Sequence, residues 1–318
     1  MKLDETAFSP EMTRQMVWLA GLLPYQQAAQ VFERIGKRQI GATSIWEQVK
    51  RHGTRLTGYV EHQQELVSVE RTVLPAARED HEQRKGVSMD GGMVHIRSEG
   101  WKEVKVGALF DIGMTVRRDS ESGEWAEYAC AENTSLTAVL GSVEPFSKAL
   151  WASAVKADIP QAIESCVTAD GAPWIWNLTA DLFPDSTQIV DWYHAVEHLA
   201  KASHALHPDN EEKAKRWLKQ RKDNLFQGDI HHITRPLDAA GCSNESRYFH
   251  THKRRMQYHQ FQDEGFLIGS GVVESGIKQF KQRLTGPGMR WSRQGAEHML
   301  VIRAAVLDDS FDVLWDAA

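Results

Sequence analysis

Three carboxylates in this chain stand beside glycines in otherwise apolar runs. They are Asp90 in Ser-Met-Asp-Gly-Gly, Asp170 in Thr-Ala-Asp-Gly-Ala-Pro-Trp, and Glu274 in Gly-Ser-Gly-Val-Val-Glu-Ser. A charged carboxylate set among buried strand or helix positions is costly unless it is paired or binds a cation. Two strand-end aspartates and a later helical glutamate offer the oxygen donors that magnesium prefers, with manganese as a substitute. Two such ions at one site suit in-line displacement at phosphorus, one readying the attacking oxygen and the other stabilising the leaving one. Gly91 and Gly171 allow a close approach or sharp exit, and Gly269, Ser270 and Gly271 let the backbone turn before the helix that carries Glu274. Taken singly, each acid reads as a turn residue, since Asp-Gly is a common turn dipeptide. Their combination and order carry the weight.

Elements able to position these acids can be read along the chain. Residues 10–52 have helical spacing, with Pro10 in a first turn after Ser9 and a second helix from Tyr25 to Ile35. Gly36 to Ala42 breaks the pattern, and Thr43 or Ser44 is expected to cap a further helix through Ile45, Val49 and Gly53. This helix, turn, helix order in region 1–80 resembles a small DNA-binding unit. Thr57 to Ala77 reads as a connecting helix. The period then changes: a strand through Val87 to Ile96, a turn at Ser98-Glu99-Gly100, a strand through Val104 to Phe110, and a third from Trp125 to Asn133 form an antiparallel meander. A helix over Pro145 to Val155 precedes short strands at Ile163 to Thr168 and Thr187 to Val190, and a helix follows from Trp192 to Leu206.

This order predicts an α/β, ribonuclease-H-like mixed sheet, with an N-terminal helical unit and an all-helical insertion. The core's first part spans 81–207, the polar, basic insertion 208–262, and C-terminal helices over 263–318 complete it. In such a sheet the first and fourth strands are neighbours, so Asp90 and Asp170 can meet despite their separation.

The composition is that of an ordinary globular chain: 318 residues, 42% hydrophobic. No apolar run spans a bilayer and the N-terminus lacks a signal-peptide pattern, so a cytoplasmic location is expected. Cys130, Cys166 and Cys242 are too few and wrongly spaced for a disulfide framework, and at least two are expected to be buried. The net charge of −6 disfavours a nucleic-acid partner as a whole, but it conceals basic clusters. Ser275 to Gln294 holds Lys278, Lys281, Arg283, Arg290 and Arg293 with no acid. Two further clusters run from Lys213 to Lys222 and over Lys253, Arg254 and Arg255.

Five blocks in order carry a family resemblance: Ser88 to Val94, Gly100 to Gly107, Ala169 to Trp176, Ile189 to His194, and Ile268 to Ser275. Together with the Ser9-Pro10-Glu11 opening and the Gly288 to Ser292 loop, they resemble DDE transposases of bacterial insertion sequences, of the Kra4-type group related to Mutator-like elements. The resemblance covers nearly the whole chain, which is short at its N-terminus for the family. It implies a transposase that cuts element ends and joins them to target DNA, with Asp90, Asp170 and Glu274 as catalytic metal ligands. Asp191 and His194 become accessory residues that support the site or contact DNA. Lys278, Lys281, Arg283 and Arg293 would hold phosphates, and Arg290 and Trp291 a distorted or flipped base. Double-stranded DNA would be the partner, in the nucleoid, bound by a homodimer or larger assembly that brings two ends together.

Two rival readings remain open. His194-Ala195-Val196-Glu197-His198 fits the H-x-x-E-H pattern of a zinc hydrolase, with the histidines one helical turn apart and the glutamate as general base. The other rival is a DNA-binding transposase derivative that no longer cuts.

Overall fold

A computed structural model of the chain describes residues 8–67, 83–118 and 123–318. Ser9 caps the first helix: its Oγ accepts the Met12 N–H at 3.3 Å, and Pro10 sits in the first turn, where a missing N–H costs nothing. Helices α1 (Pro10–Leu22), α2 (Tyr25–Arg34) and α3 (Ala42–Leu66) follow one another. The last differs from expectation. It begins after Gly41 rather than at a Thr43 or Ser44 cap, and it continues unbroken past Gly53 to Leu66. Gly53 is a packing residue here, since a Cβ on it would lie 2.6 Å from the His298 ring. The remainder of the helix expected to reach Ala77 lies outside the described residues.

Strand β1 (Lys85–Ile96) turns through Ser98 and Gly100, both at positive φ, into β2 (Gly100–Arg118), and β3 (Trp125–Leu140) completes an antiparallel meander. The third strand runs beyond its expected end at Asn133. That residue adopts φ 46° next to a register shift at Leu109/Asp111, so a turn-like Asn-Thr-Ser run is a bulge within a longer strand. Helix α4 (Val143–Lys156) leads to β4 (Ser165–Ala169), α5 (Pro173–Leu182), β5 (Thr187–Val190) and α6 (Trp192–Leu206). The sheet order is β3-β2-β1-β4-β5, with β4 parallel to both β1 and β5.

The polar segment after α6 forms α7 (Glu211–Phe226), α8 (His231–Ala239), α9 (Ser243–His252) and α10 (Tyr258–Asp263). Helices α11 (Gly271–Leu284), α12 (Arg293–Leu307) and α13 (Phe311–Ala317) close the chain, the last of them unanticipated from sequence.

Pleat alternation divides the sheet between two cores. Val87, Met89 and Leu109 join α4, α5, α6 and the insertion on one side, whereas Val94, Ile96, Val104, Val106 and Ala108 pack with α1, α3, α11 and α12 on the other. The N-terminal helices therefore share a core with the C-terminal ones. Two buried guanidiniums fasten them: Arg283 donates to the Ala20 carbonyl at 2.7 Å and Arg303 to the Gly21 carbonyl at 2.9 Å, satisfying acceptors that the end of α1 leaves open.

All three cysteines are free, but only Cys166 is fully buried. Cys130 lies on β3 at the sheet edge, and Cys242 precedes α9. Among the described residues no helix is long and apolar enough to cross a membrane.

Candidate active site

Strand register aligns the first two acids. Lys85 to Val87 pair with Ser165 to Val167 across β1 and β4, so Asp90 and Asp170 each lie three residues beyond the last pair, near enough for the Asp170 charge to act on Asp90. Cys166 pairs with Thr187 across β4 and β5, so continuing it four residues sets Asp170 opposite Asp191. Three aspartates thus share one row, two of them just past the carboxyl ends of parallel strands, where open α/β sheets place their ligands.

Asp170 Oδ1 accepts the Ala172 N–H at 2.8 Å, and Asp90 Oδ1 accepts the Gly91 N–H at 2.6 Å; each half-buried carboxylate is held by its own loop or strand. Burial pushes the Asp90 carboxyl above the ordinary range. The Gly91 N–H pulls it back, the Asp170 charge raises it further, and His194 and Lys281 oppose that rise.

Glu274 reaches the row from the first turn of α11. That helix lies on the face of β1 that carries Asp90 and Gly92, because a Cβ on Gly92 would meet Lys281 at 3.2 Å and Ile277 at 3.6 Å. One turn earlier, Glu274 brings a ligand atom within 4.8 Å of atoms of Asp191 and His194. Its remaining close partner is Lys278, at 3.6 Å.

Asp191 anchors this corner. It is fully buried and caps α6 by accepting the His194 N–H at 2.8 Å. It also accepts the His194 ring at 3.1 Å, the Ser270 hydroxyl at 2.9 Å and the Ser270 N–H. Burial works against its charge, yet these hydrogen bonds outweigh that and hold its carboxyl below the usual range. The same contact with Asp191 raises His194 to about 9, with Asp170 and Glu197 contributing, so the imidazole is a cation at neutral pH. With both Asp191 oxygens engaged by Ser270 and His194, this trio forms a polar cluster around the start of α11 whose ligand atoms are also close enough together to hold a metal ion. Among the described residues it is the one His, Cys, Asp or Glu trio with ligand atoms mutually within 4.8 Å. Asp90, Asp170 and Glu274 do not form such a trio.

The insertion supplies a wall that sequence reading missed. His198 on α6 stacks on Tyr248 of α9, with ring centroids 3.6 Å apart, and Tyr248 and His252 close over the loop after Asp170. A Cβ on Gly171 would lie 2.6 Å from the Tyr248 ring and 3.2 Å from His252 Nε2. Gly171→Ala is therefore expected to push α9 from the site and destabilise the protein by about 1–3 kcal/mol. Urea denaturation measures this, and an unchanged midpoint would refute the contact. No motif marked Tyr248 or His252, because they enter from the far side of a long helical segment.

His252 is 5% exposed and burial depresses its pKa to about 4, with Arg255 and His198 adding repulsion and a hydrogen bond with the Gly171 backbone opposing. Both folded and unfolded forms are neutral above about 6.5. As the pH falls toward 4 only the unfolded chain takes up the proton, so stability is lost through that window, by on the order of 3 kcal/mol. His252→Gln is expected to lose correspondingly less stability between pH 7 and pH 4.5 in urea titrations. Equal losses in both proteins would contradict this.

The residues expected to meet DNA divide into two groups. Lys278, Lys281 and Arg290 are exposed, and Lys281 stands beside Asp90. Arg293 is exposed but paired with Glu99 and Glu297. Arg283 and Trp291 are core residues, contrary to expectation. The Arg283 guanidinium lies 5.0 Å from the Tyr25 ring centroid and 5.1 Å from that of Trp291, whose Nε1 donates to the Leu284 carbonyl at 2.9 Å. Arg283 ties α11 to the end of α1 and to Tyr25 of α2, and Trp291 packs against Tyr25 and the end of α11.

In the zinc pattern, each histidine already has a partner, His194 on Asp191 and His198 on Tyr248. His198 faces Tyr248, and His194, Glu197 and His198 do not form a trio within ligand distance. No family model matches the chain, and no curated protein matches it.

Proposed function

We propose that this protein is a DNA transposase of the DDE type, with a ribonuclease-H-like catalytic core. The observation that carries the reading is Asp90 on β1 and Asp170 just past the end of the neighbouring parallel β4, with Glu274 on a helix that packs against the same face of β1. The order β3-β2-β1-β4-β5, with the first strand central, supports the fold assignment.

The donors fit a pair of hard divalent cations. They are carboxylate oxygens, they are half-buried, and the Asp170 charge is near enough to raise the energy of the charged Asp90. Asp90, Asp170 and Glu274 would hold Mg²⁺, or Mn²⁺ in its place. When bound there, two such ions supply an activated attacking oxygen and neutralise the leaving 3′-oxygen.

The chain's own residues do the rest. Asp191, fixed by Ser270 and His194, sets the start of α11 and hence the approach of Glu274. The His194 cation and Lys281 add positive charge beside the acids, where a scissile phosphate must come close. Lys278 and Arg290 stand on the exposed surface of the same C-terminal segment, suited to backbone phosphates without reading sequence. Water attack would nick an element end, and attack by the freed 3′-hydroxyl would join that end to target DNA, with two protomers bringing two ends together.

The test is cleavage of labelled duplex carrying the DNA that flanks the gene, including any inverted repeats. Nicking that requires Mg²⁺ or Mn²⁺ and leaves a 3′-hydroxyl is expected. Tight binding with neither ion eliciting a nick would favour a DNA-binding derivative that no longer cuts.

A further inference from the structure

The basic run Lys253-Arg254-Arg255 is split by the fold into one inward and two outward cations. Arg255 turns in, donating to Gln188 at the start of β5 at 2.7 Å and lying 4.4 Å from the Trp176 ring centroid. His252, immediately before the run, packs on Gly171. The turn is thereby fixed to the sheet on both sides, one residue from a side chain that touches the loop of Asp170. Lys253 and Arg254 are exposed and make no ion pair among the described residues.

These two side chains line a cleft of about 390 Å³ with His231, Gln257, Gly228 and Ile230. Its wall is closely built. Gly228 has φ +75° and the Gln257 amide packs where its Cβ would be, and that amide in turn donates to the Lys253 carbonyl at 3.1 Å. Asp229 is in the same loop, but it does not line the cleft. No acidic side chain is among the lining residues. This open cleft therefore presents two exposed cations without an ion pair among the described residues, an imidazole and an amide to a guest rich in acceptor oxygens.

We propose that this cleft binds a backbone phosphate of the DNA on which the acidic row acts, making the helical insertion part of the DNA-binding surface. The proposal rests on the transposase reading and deepens it. Phosphate is the chemistry recognised. A duplex is the favoured source because the turn that carries Lys253 and Arg254 adjoins His252, which packs on Gly171 in the loop after Asp170. Two separate lysine or arginine contacts fix register without reading bases.

The test compares wild type with the Lys253→Gln/Arg254→Gln double variant. Both side chains are exposed, so folding is expected to be unaffected, and circular dichroism checks it. Duplex binding is measured by fluorescence anisotropy over a range of salt concentrations in EDTA, and inorganic phosphate is titrated separately by calorimetry. Losing this phosphate contact should weaken duplex binding at least about tenfold and flatten the slope of log K against log[salt] by roughly 0.9. An unchanged affinity and slope in a variant that still nicks DNA would overturn the cleft while leaving the transposase reading intact. Inorganic phosphate binding that the double variant abolishes, with duplex binding unchanged, would identify a free-phosphate site and also overturn it. Failure of wild type to bind duplex at all would remove both readings together.

Discussion

Asp170→Asn is expected to lower metal-dependent DNA nicking by about 1000-fold or more, since a carboxylate that holds a catalytic cation contributes several kcal/mol and each 1.36 kcal/mol is tenfold in rate. Asparagine keeps the side-chain oxygen that accepts the Ala172 N–H, so the loop after β4 should hold its shape. Only the charge is lost. Asp90→Asn and Glu274→Gln should behave alike in single-turnover assays. Asp90 adds a signature that mere structural damage would not produce. Its charged form is disfavoured by burial and by the neighbouring Asp170, so the neutral variant should unfold no earlier in urea than wild type. An Asp170→Asn protein that retains more than about a tenth of wild-type nicking would sink the assignment.

Asp191 provides the contrast. It accepts four hydrogen bonds in a fully buried setting and touches the proposed site through Ser270 and His194, so in that reading it acts as a positioning residue.

Arg283→Ala is expected to destabilise the protein by about 3 kcal/mol while leaving DNA affinity of the folded protein unchanged. Burial lowers the Arg283 pKa, and removing a buried cation recovers some of that cost. The losses are larger. The Ala20 carbonyl at the end of α1 would lose its donor, two aromatic faces would lose a cation between them, and truncation would leave a cavity where α1 meets α11. Urea denaturation gives the stability, and anisotropy on duplex DNA gives the affinity. A variant as stable as wild type but weakened in DNA binding would return Arg283 to the surface role that its basic neighbourhood suggests.

The contrast between Arg283 and Lys281, two positions apart on one helix, shows where local information ends. Sequence alone determined the acids and their order, the antiparallel meander, the strand at Thr187–Val190 and the helix from Trp192 to Leu206, because those depend on short-range alternation, turn chemistry and capping. It could not tell that Gly53 is a helix contact rather than a helix end, or that the strand through Asn133 continues as a bulge. Tertiary structure alone decided that Arg283 and Trp291 belong to the core, that His198 meets Tyr248 rather than a metal-binding partner, and that Tyr248 and His252 cover Gly171. The physical reason is range. Periodicity and turns report which face of an element is apolar, whereas burial of a guanidinium or the wall of an active site depends on which distant segment packs against that face.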